Sequence, residues 1–251
     1  MLASLILSLA LLAQLVDKTT PPPVAPQPAV QLSPEKRGDI CMARKMYREA
    51  VDSYVEALRT DPKSYLLYNK LGIAYHQQLQ LGLARQCYER AIKLDKDYSE
   101  AINNLGTIYY AQRSYRRAIS RYKKALKLTP DSASIHSNLG TAYFARKHYK
   151  DASEEYAVAL RLDPDIFEHR SSFGSLLQER SVTDRAKFHY YMAKTYAAAG
   201  YVDRALSYLR KALEEGYKDK EKIADEKEFA GLRDNPEFQQ LLASNTPVIP
   251  Q

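Results

Sequence analysis

The side chains able to do chemistry are few and scattered. His76, His136, His148, His169 and His189 fall in different parts of the chain. No two stand at the i, i+4 spacing that lets one helix present a pair of metal ligands. There is no His-Glu-x-x-His, no phosphate-cradling glycine loop and no Gly-x-Ser-x-Gly elbow. Cys41 and Cys87 are too few for a zinc site, and their places in the repeat described below point toward different neighbours, so buried free thiols are expected. The chain is therefore expected to be no enzyme and to carry neither cofactor nor metal.

What remains is charge. The 251 residues hold 37 Lys and Arg against 30 Asp and Glu, a formal net charge of +7. Part of that excess is concentrated in Arg113, Arg116, Arg117, Arg121, Lys123, Lys124 and Lys127, a stretch without a carboxylate. On a helix that buries Ala118, Tyr122 and Ala125, most of these cations fall away from the buried side. A solvated surface is the ordinary explanation; the alternative is binding of an anionic surface (an acidic protein, phosphate or lipid head groups) or a nucleic acid through residues 114–127, with nucleic acid the least expected partner.

The elements that carry these groups repeat at an interval of 34. Gly38, Gly72, Gly106 and Gly140 form one column. Alanine follows at twelve (Ala50, Ala84, Ala118, Ala152), tyrosine at sixteen (Tyr54, Tyr88, Tyr122, Tyr156) and alanine again at nineteen (Ala57, Ala91, Ala125, Ala159). These residues pack helices and do no chemistry, so each unit predicts two antiparallel helices that bury their apolar sides against neighbouring units. In the first helix, Leu71-Gly72, Leu105-Gly106 and Leu139-Gly140 combine bulk with a close approach, and Tyr75, Tyr109 and Tyr143 share that side. Pro62, Pro130 and Pro164 stop the second helix; the second unit has Lys96 there instead. Tyrosine, at twenty copies, supplies bulk with a hydroxyl that can reach water in a core two helices deep.

These columns, in register over several units and about two thirds of the chain, resemble the tetratricopeptide repeat family, of bacterial type with a signal-like N-terminal segment. The resemblance implies an all-α, right-handed superhelix of about five helix-turn-helix repeats closed by C-terminal capping helices. The expected units are 34–64, 65–98, 99–132, 133–166 and 186–218, with an inserted short helix or loop over 167–185 and a cap and tail over 219–251. Arg37 and Cys41 depart from the leucine and tyrosine columns, as suits a solvated terminal unit. Beyond the fourth unit two frames compete. One continues the period through Gly174, Ala186, Tyr190 and Ala193; the other starts 19 residues late with Met192, Ala193 and Tyr196, then Ala205, Leu209 and Ala212. The late frame is preferred because Gly200-Tyr201-Val202-Asp203 makes a turn within a unit, and one helix is not expected to serve both.

The resemblance also implies a function: a scaffold whose first helices line a concave groove for a peptide or helix of a partner protein. The groove-facing positions correspond here to Leu66, Asn69, Ile73 and His76, then Glu100, Asn103, Thr107 and Tyr110, then Ser134, Ser137, Thr141 and Phe144, with Tyr190 and Lys194 continuing the row. Asn104 and Asn138, in the adjacent column, are expected to support packing between units. Family members that clamp a C-terminal carboxylate place lysine, arginine and asparagine at set groove positions. This chain offers Glu35 and Asp39, then Asn69 and Ile73, then Glu100 and Asn104, so a chaperone-tail receptor is not expected.

Residues 1–16 form an apolar run outside the array, shorter than the roughly 20 residues that span a bilayer and long enough for a signal-peptide core. No Lys or Arg precedes it and no clean small-x-small cleavage site ends it, so a signal peptide and an uncleaved membrane anchor both stand. Pro21, Pro22, Pro23, Pro26 and Pro28 make 17–33 an extended linker. The expected location is exported or membrane-tethered, and cytoplasmic if the segment is no signal.

Overall fold

The structure is a computed structural model, and it describes residues 32–168 and 182–244. Residues 1–31, with the apolar run and all but the last two residues of the linker, lie outside the described residues, as do 169–181 and 245–251. Five helix pairs follow one another: α1 (Pro34–Ala43) with α2 (Tyr47–Thr60), α3 (Tyr65–Gln77) with α4 (Leu81–Leu94), α5 (Ser99–Ala111) with α6 (Tyr115–Leu128), α7 (Ala133–Ala145) with α8 (Tyr149–Leu162), and α9 (Val182–Ala198) with α10 (Val202–Glu214). A cap of α11 (Lys220–Asp225), a 3-10 helix (Lys227–Leu232) and α12 (Pro236–Ala243) follows. Among the described residues there is no strand, and no helix is long and apolar enough to cross a membrane.

Local chemistry sets the helix ends. Ser33 accepts from the Lys36 N–H at 3.3 Å with Pro34 in the first turn, Ser64 accepts from the Leu67 N–H at 3.3 Å, and Asn235 caps α12 ahead of Pro236. The turns inside the five pairs share one geometry. Lys45, Leu79, Arg113, Lys147 and Gly200 each hold positive φ, between 58° and 81°. The next residue's N–H reaches back five positions, as from Ser114 to the Tyr109 carbonyl at 2.8 Å. That is a Schellman motif, whose left-handed position favours glycine; only the fifth pair supplies one. The second helices end at Thr60, Leu94, Leu128 and Leu162 with the period intact, so α4 stops at the extended Asp95 without the proline that follows the others.

The core is linear. Ala50, Tyr54 and Ala57 of α2 pack with Leu67, Leu71 and Ala74 of α3; Ala84 and Tyr88 of α4 pack with Ile102, Leu105 and Ile108 of α5; Ala118, Tyr122 and Ala125 of α6 pack with Ile135, Leu139 and Ala142 of α7. Each cluster straddles a unit boundary, so one unit's apolar surface is completed by the next. Within a unit the glycine column lies directly on the tyrosine column. A Cβ added at Gly72, Gly106 or Gly140 would sit 2.6 Å from a ring carbon of Tyr88, Tyr122 or Tyr156, rings that are buried and cannot retreat. In the fifth pair Ala193 takes the glycine place and Leu209 the tyrosine place, both fully buried: a methyl gained against a smaller partner.

The fifth pair corrects one expectation. α9 begins at Val182, inside the span assigned to an insert, and its 17 residues bury Ala186, Tyr190 and Ala193 together with Met192 and Tyr196. A single helix therefore holds both sets of positions. Met192, Ala193 and Tyr196 serve the pairing with α10 across the Gly200 turn, while Tyr190 faces the cap, stacked on Tyr217 at 4.2 Å. Against the fourth unit the helix docks through rings, Phe188 edge-on to Phe144 at 5.5 Å and Tyr191 stacked on Tyr149 at 4.8 Å.

Candidate protein-binding surfaces

The first helices present a polar row built from two columns. The residues three and two positions before each glycine are Glu35 and Lys36, Asn69 and Lys70, Asn103 and Asn104, Ser137 and Asn138. Stacking brings the earlier column of one unit against the later column of the next. Asn138 Nδ2 donates to Asn103 Oδ1 at 3.0 Å, Asn103 Nδ2 to Asn104 Oδ1 at 3.4 Å, and Asn104 Nδ2 to Asn69 Oδ1 at 3.0 Å. Asn69 Nδ2 then donates to Tyr98 Oη at 3.1 Å, and Tyr98 Oη to Glu100 Oε2 at 2.7 Å. The three amide bonds point one way, from unit four to unit two, and Asn69 then turns back through Tyr98 to Glu100 of unit three; each acceptor's group is the next donor, so each bond polarises the next and the series ends on a carboxylate. Burial, and then the bond to Glu100, raise the Tyr98 pKa.

The ends of the row are ionic. Lys70 Nζ lies 2.8 Å from both Glu35 Oε1 and Asp39 Oδ2. Burial disfavours its charge, the bonds to Asp39 and Glu35 outweigh burial, and the net effect raises its pKa. At the other end Lys194 Nζ lies 2.6 Å from Glu226 Oε2 and 3.5 Å from Glu228 Oε2, and Tyr190 Oη donates to Glu226 Oε1 at 2.8 Å. The cap thus occupies the place of a sixth first helix. Burial opposes the Glu226 charge, and the bonds from Lys194 and Tyr190 prevail and hold its carboxyl below the usual range.

The groove residues expected from sequence divide into two sets. Leu66, Glu100 and Ser134 are exposed, and Ile73, His76, Asn103, Thr107 and Lys194 are half-buried. Asn69, Tyr110, Ser137, Thr141, Phe144 and Tyr190 are buried and present no free surface to a ligand. The reason is inter-unit packing. Asn69 is covered by the row itself, Phe144 by Phe188 and Tyr149, and Tyr190 by Tyr217 and Glu226. Thr141 Oγ1 donates to the Ser137 carbonyl at 2.9 Å and accepts from Tyr156 Oη at 3.3 Å; Thr107 Oγ1 bonds the Asn103 carbonyl and Tyr122 Oη in the same way. Burial lowers the His76 pKa, which keeps the ring neutral at neutral pH. Sequence reasoning missed Tyr98, Lys70 and Asp39 as members of the row; the column that Lys70 shares with Asn104 and Asn138 was the signal that could have found Lys70, and Tyr98 and Asp39 lie outside that column.

The seven cations of the basic run lie on or beside α6. Arg113, Arg116, Arg117, Lys123, Lys124 and Lys127 are exposed and Arg121 is half-buried. The Arg117 guanidinium stands over Tyr109 at 5.8 Å and the Lys123 ammonium over Tyr143 at 5.5 Å, while Lys124 Nζ donates to the Lys96 carbonyl at 3.4 Å. Cys41 and Cys87 are free thiols, and burial pushes the Cys87 thiol up to about 11. Among the described residues no group of three His, Cys, Asp or Glu side chains is placed to hold a metal ion.

Paired antiparallel helices stacked in chain order, with glycine on tyrosine inside each of the first four pairs, define an α-helical solenoid. The chain is a tetratricopeptide repeat protein. A family model described as TPR repeat matches residues 38–78 and 106–146, and two described as tetratricopeptide repeat match 65–98 and 133–166. Among solved structures, MamA from Desulfovibrio magneticus RS-1 is 18% identical, with a TM-score of 0.51 over 77% of this chain and 96% of its own. MamA AMB-1 is 21% identical, with a TM-score of 0.51 over 73% of this chain and 98% of its own. Both likenesses establish the fold. No curated protein matches the chain.

Proposed function

We propose that this protein is a non-catalytic adaptor that holds an extended or helical segment of a partner protein against the first helices of units two to four. The observation that carries this reading is the one-directional amide row through Asn138, Asn103, Asn104 and Asn69, whose half-buried members keep an amide edge toward solvent. Each amide has two N–H donors and two acceptor lone pairs, so bonding within the row leaves capacity for a peptide backbone. Exposed Leu66 and half-buried Ile73 and His76 flank the row and offer apolar contact for side chains.

A photo-cross-linking residue at Leu66, Glu100 or Ser134, one per unit along the row, tests this directly. The bound partner should be captured from these positions and not from Lys150 on the outer helix α8. Capture from Lys150 alone, or turnover of a substrate by the purified chain, would refute the reading.

We also propose that residues 1–16 direct export or tether the array to a membrane, with 17–33 as spacer, on the strength of the apolar run and the five prolines behind it. Sequencing the N-terminus of the mature protein tests it. A start at Met1 in a protein recovered from the aqueous fraction would overturn both forms.

A further inference from the structure

The outer helices differ sharply in charge. α6 carries Arg116, Arg117, Arg121, Lys123, Lys124 and Lys127 and no carboxylate. α2 sets Arg48 and Arg59 against Glu49, Asp52 and Glu56, and α8 sets Lys150 and Arg161 against Asp151, Glu154 and Glu155. Elsewhere cations on these helices find carboxylates, as Arg85 with Glu89 and Lys150 with Glu154. Among the described residues, none of the seven cations in the basic run forms an ion pair.

The surface there is also shaped. Two open depressions, of about 540 Å³ and about 510 Å³, lie end to end along α6. The first is lined by Arg113, Arg116, Arg117 and Arg146 with Ser114 and Tyr115, and the second by Arg116, Lys123, Lys124 and Lys127 with Ile119 and Ser120. Arg116 is common to both, so the two form one track. Arg113 overhangs one end from a backbone position with φ of 58°, a conformation that glycine would hold without strain.

We propose that this track is a second binding site, on the side of the array opposite the amide row, and that it takes an acidic, extended segment of a partner protein. Its dimensions and borders select that ligand. Fourteen helical residues make a track about 21 Å long, which about six residues of extended chain would cover. Its width is one helix. Asp151 and Glu155 of α8 stand close enough to act on the Lys123 charge. A bilayer plane or a nucleic-acid duplex broad enough to lie across α6 and α8 would press its phosphates against those carboxylates, while a single acidic polypeptide fits along α6 alone. A single nucleic-acid strand would find little ring surface to stack on, because Tyr115, the aromatic side chain lining the first depression, is half-buried and set against Tyr110 at 5.3 Å. Guanidinium groups dominate the first depression, and their forked donors match carboxylates two bonds at a time.

The test titrates the purified chain with three probes at low and moderate salt: a labelled peptide carrying a run of about six glutamates, a single-stranded oligonucleotide, and phosphatidylserine vesicles. The peptide should bind more tightly than the other two, and its affinity should fall as salt rises. Arg116→Glu with Lys127→Glu, both at exposed positions, should weaken the peptide by at least about tenfold, with helicity by circular dichroism unchanged. The milder pair Arg116→Gln with Lys127→Gln should weaken it by less, and Lys150→Glu should leave it unaltered. Tighter binding of oligonucleotide or vesicles, absence of peptide binding at low salt, or unchanged affinity in the charge-reversed chain would each overturn the proposal. None of these outcomes bears on the amide row, which cross-linking reads separately.

Discussion

The tyrosine column shows how one residue type does two jobs at the same depth. Each ring fills the space opened by a glycine, and each hydroxyl needs a partner because it is enclosed. Asp39 accepts from Tyr54 at 2.8 Å, Thr107 from Tyr122 at 3.4 Å and Thr141 from Tyr156 at 3.3 Å, the acceptor being in each case the residue after the glycine. In the second unit that residue is Ile73, and Tyr88 Oη is buried with no hydrogen-bond partner among the described residues. Removing the Tyr88 hydroxyl therefore removes a penalty, whereas removing the Tyr156 hydroxyl removes a bond. Tyr88→Phe is expected to leave stability unchanged or raise it by up to about 1 kcal/mol, and Tyr156→Phe to lower it by about 1 kcal/mol. Urea unfolding of the two variants beside the parent checks this, and a larger loss in Tyr88→Phe would show that its hydroxyl has a partner after all. The contrast between Ile73 and Thr107 is visible in sequence only once the hydroxyl above them is known to be enclosed.

At the scale of helices and turns, the periodic columns were legible because they answer to packing that recurs in every unit. Gly106 against Tyr122 follows from spacing alone. The burial of Asn69, Ser137 and Phe144 did not, because what covers each of them lies on another helix and depends on how far successive units rotate. The start of α9 was hidden for a related reason: Ala193 and Leu209 replace the glycine and tyrosine that mark the frame elsewhere. The turns offer a direct measurement. Four of the five left-handed positions are not glycine, and Leu79, 81% exposed, makes the poorest use of its side chain. Leu79→Gly relieves the Cβ clash of that conformation and should raise stability by about 1 kcal/mol, read as an upward shift in the thermal midpoint. A drop would mean that the leucine side chain makes a contact of its own.

For the whole molecule, the row of inter-unit bonds is neutral in the middle and ionic at both ends. Glu35 and Asp39 receive Lys70 at the first junction, while Lys194 and Tyr190 receive Glu226 at the last. Because the Glu226 pKa is depressed in the folded chain, its contribution is fully present above the ordinary carboxylate range and is lost as pH falls through the depressed value. Hydrogen exchange in 220–232 should therefore accelerate relative to α5 below about pH 4, and Glu226→Gln should flatten that dependence. Cap protection that stays constant into acid would show that apolar contacts around Ile223 and Phe229 hold the cap without the ion pair.

The interior junctions have a different property. Asn138 meets Asn103 with the same atoms and the same 3.0 Å separation with which Asn104 meets Asn69. A chain in which 99–132 is followed by its own copy would present Asn104 of the copy to Asn103 of the original, and Asn103 of the copy to Asn138, with no new chemistry at either join. The array is therefore extensible from within, so a lineage could lengthen its amide row by duplication without redesigning either terminus.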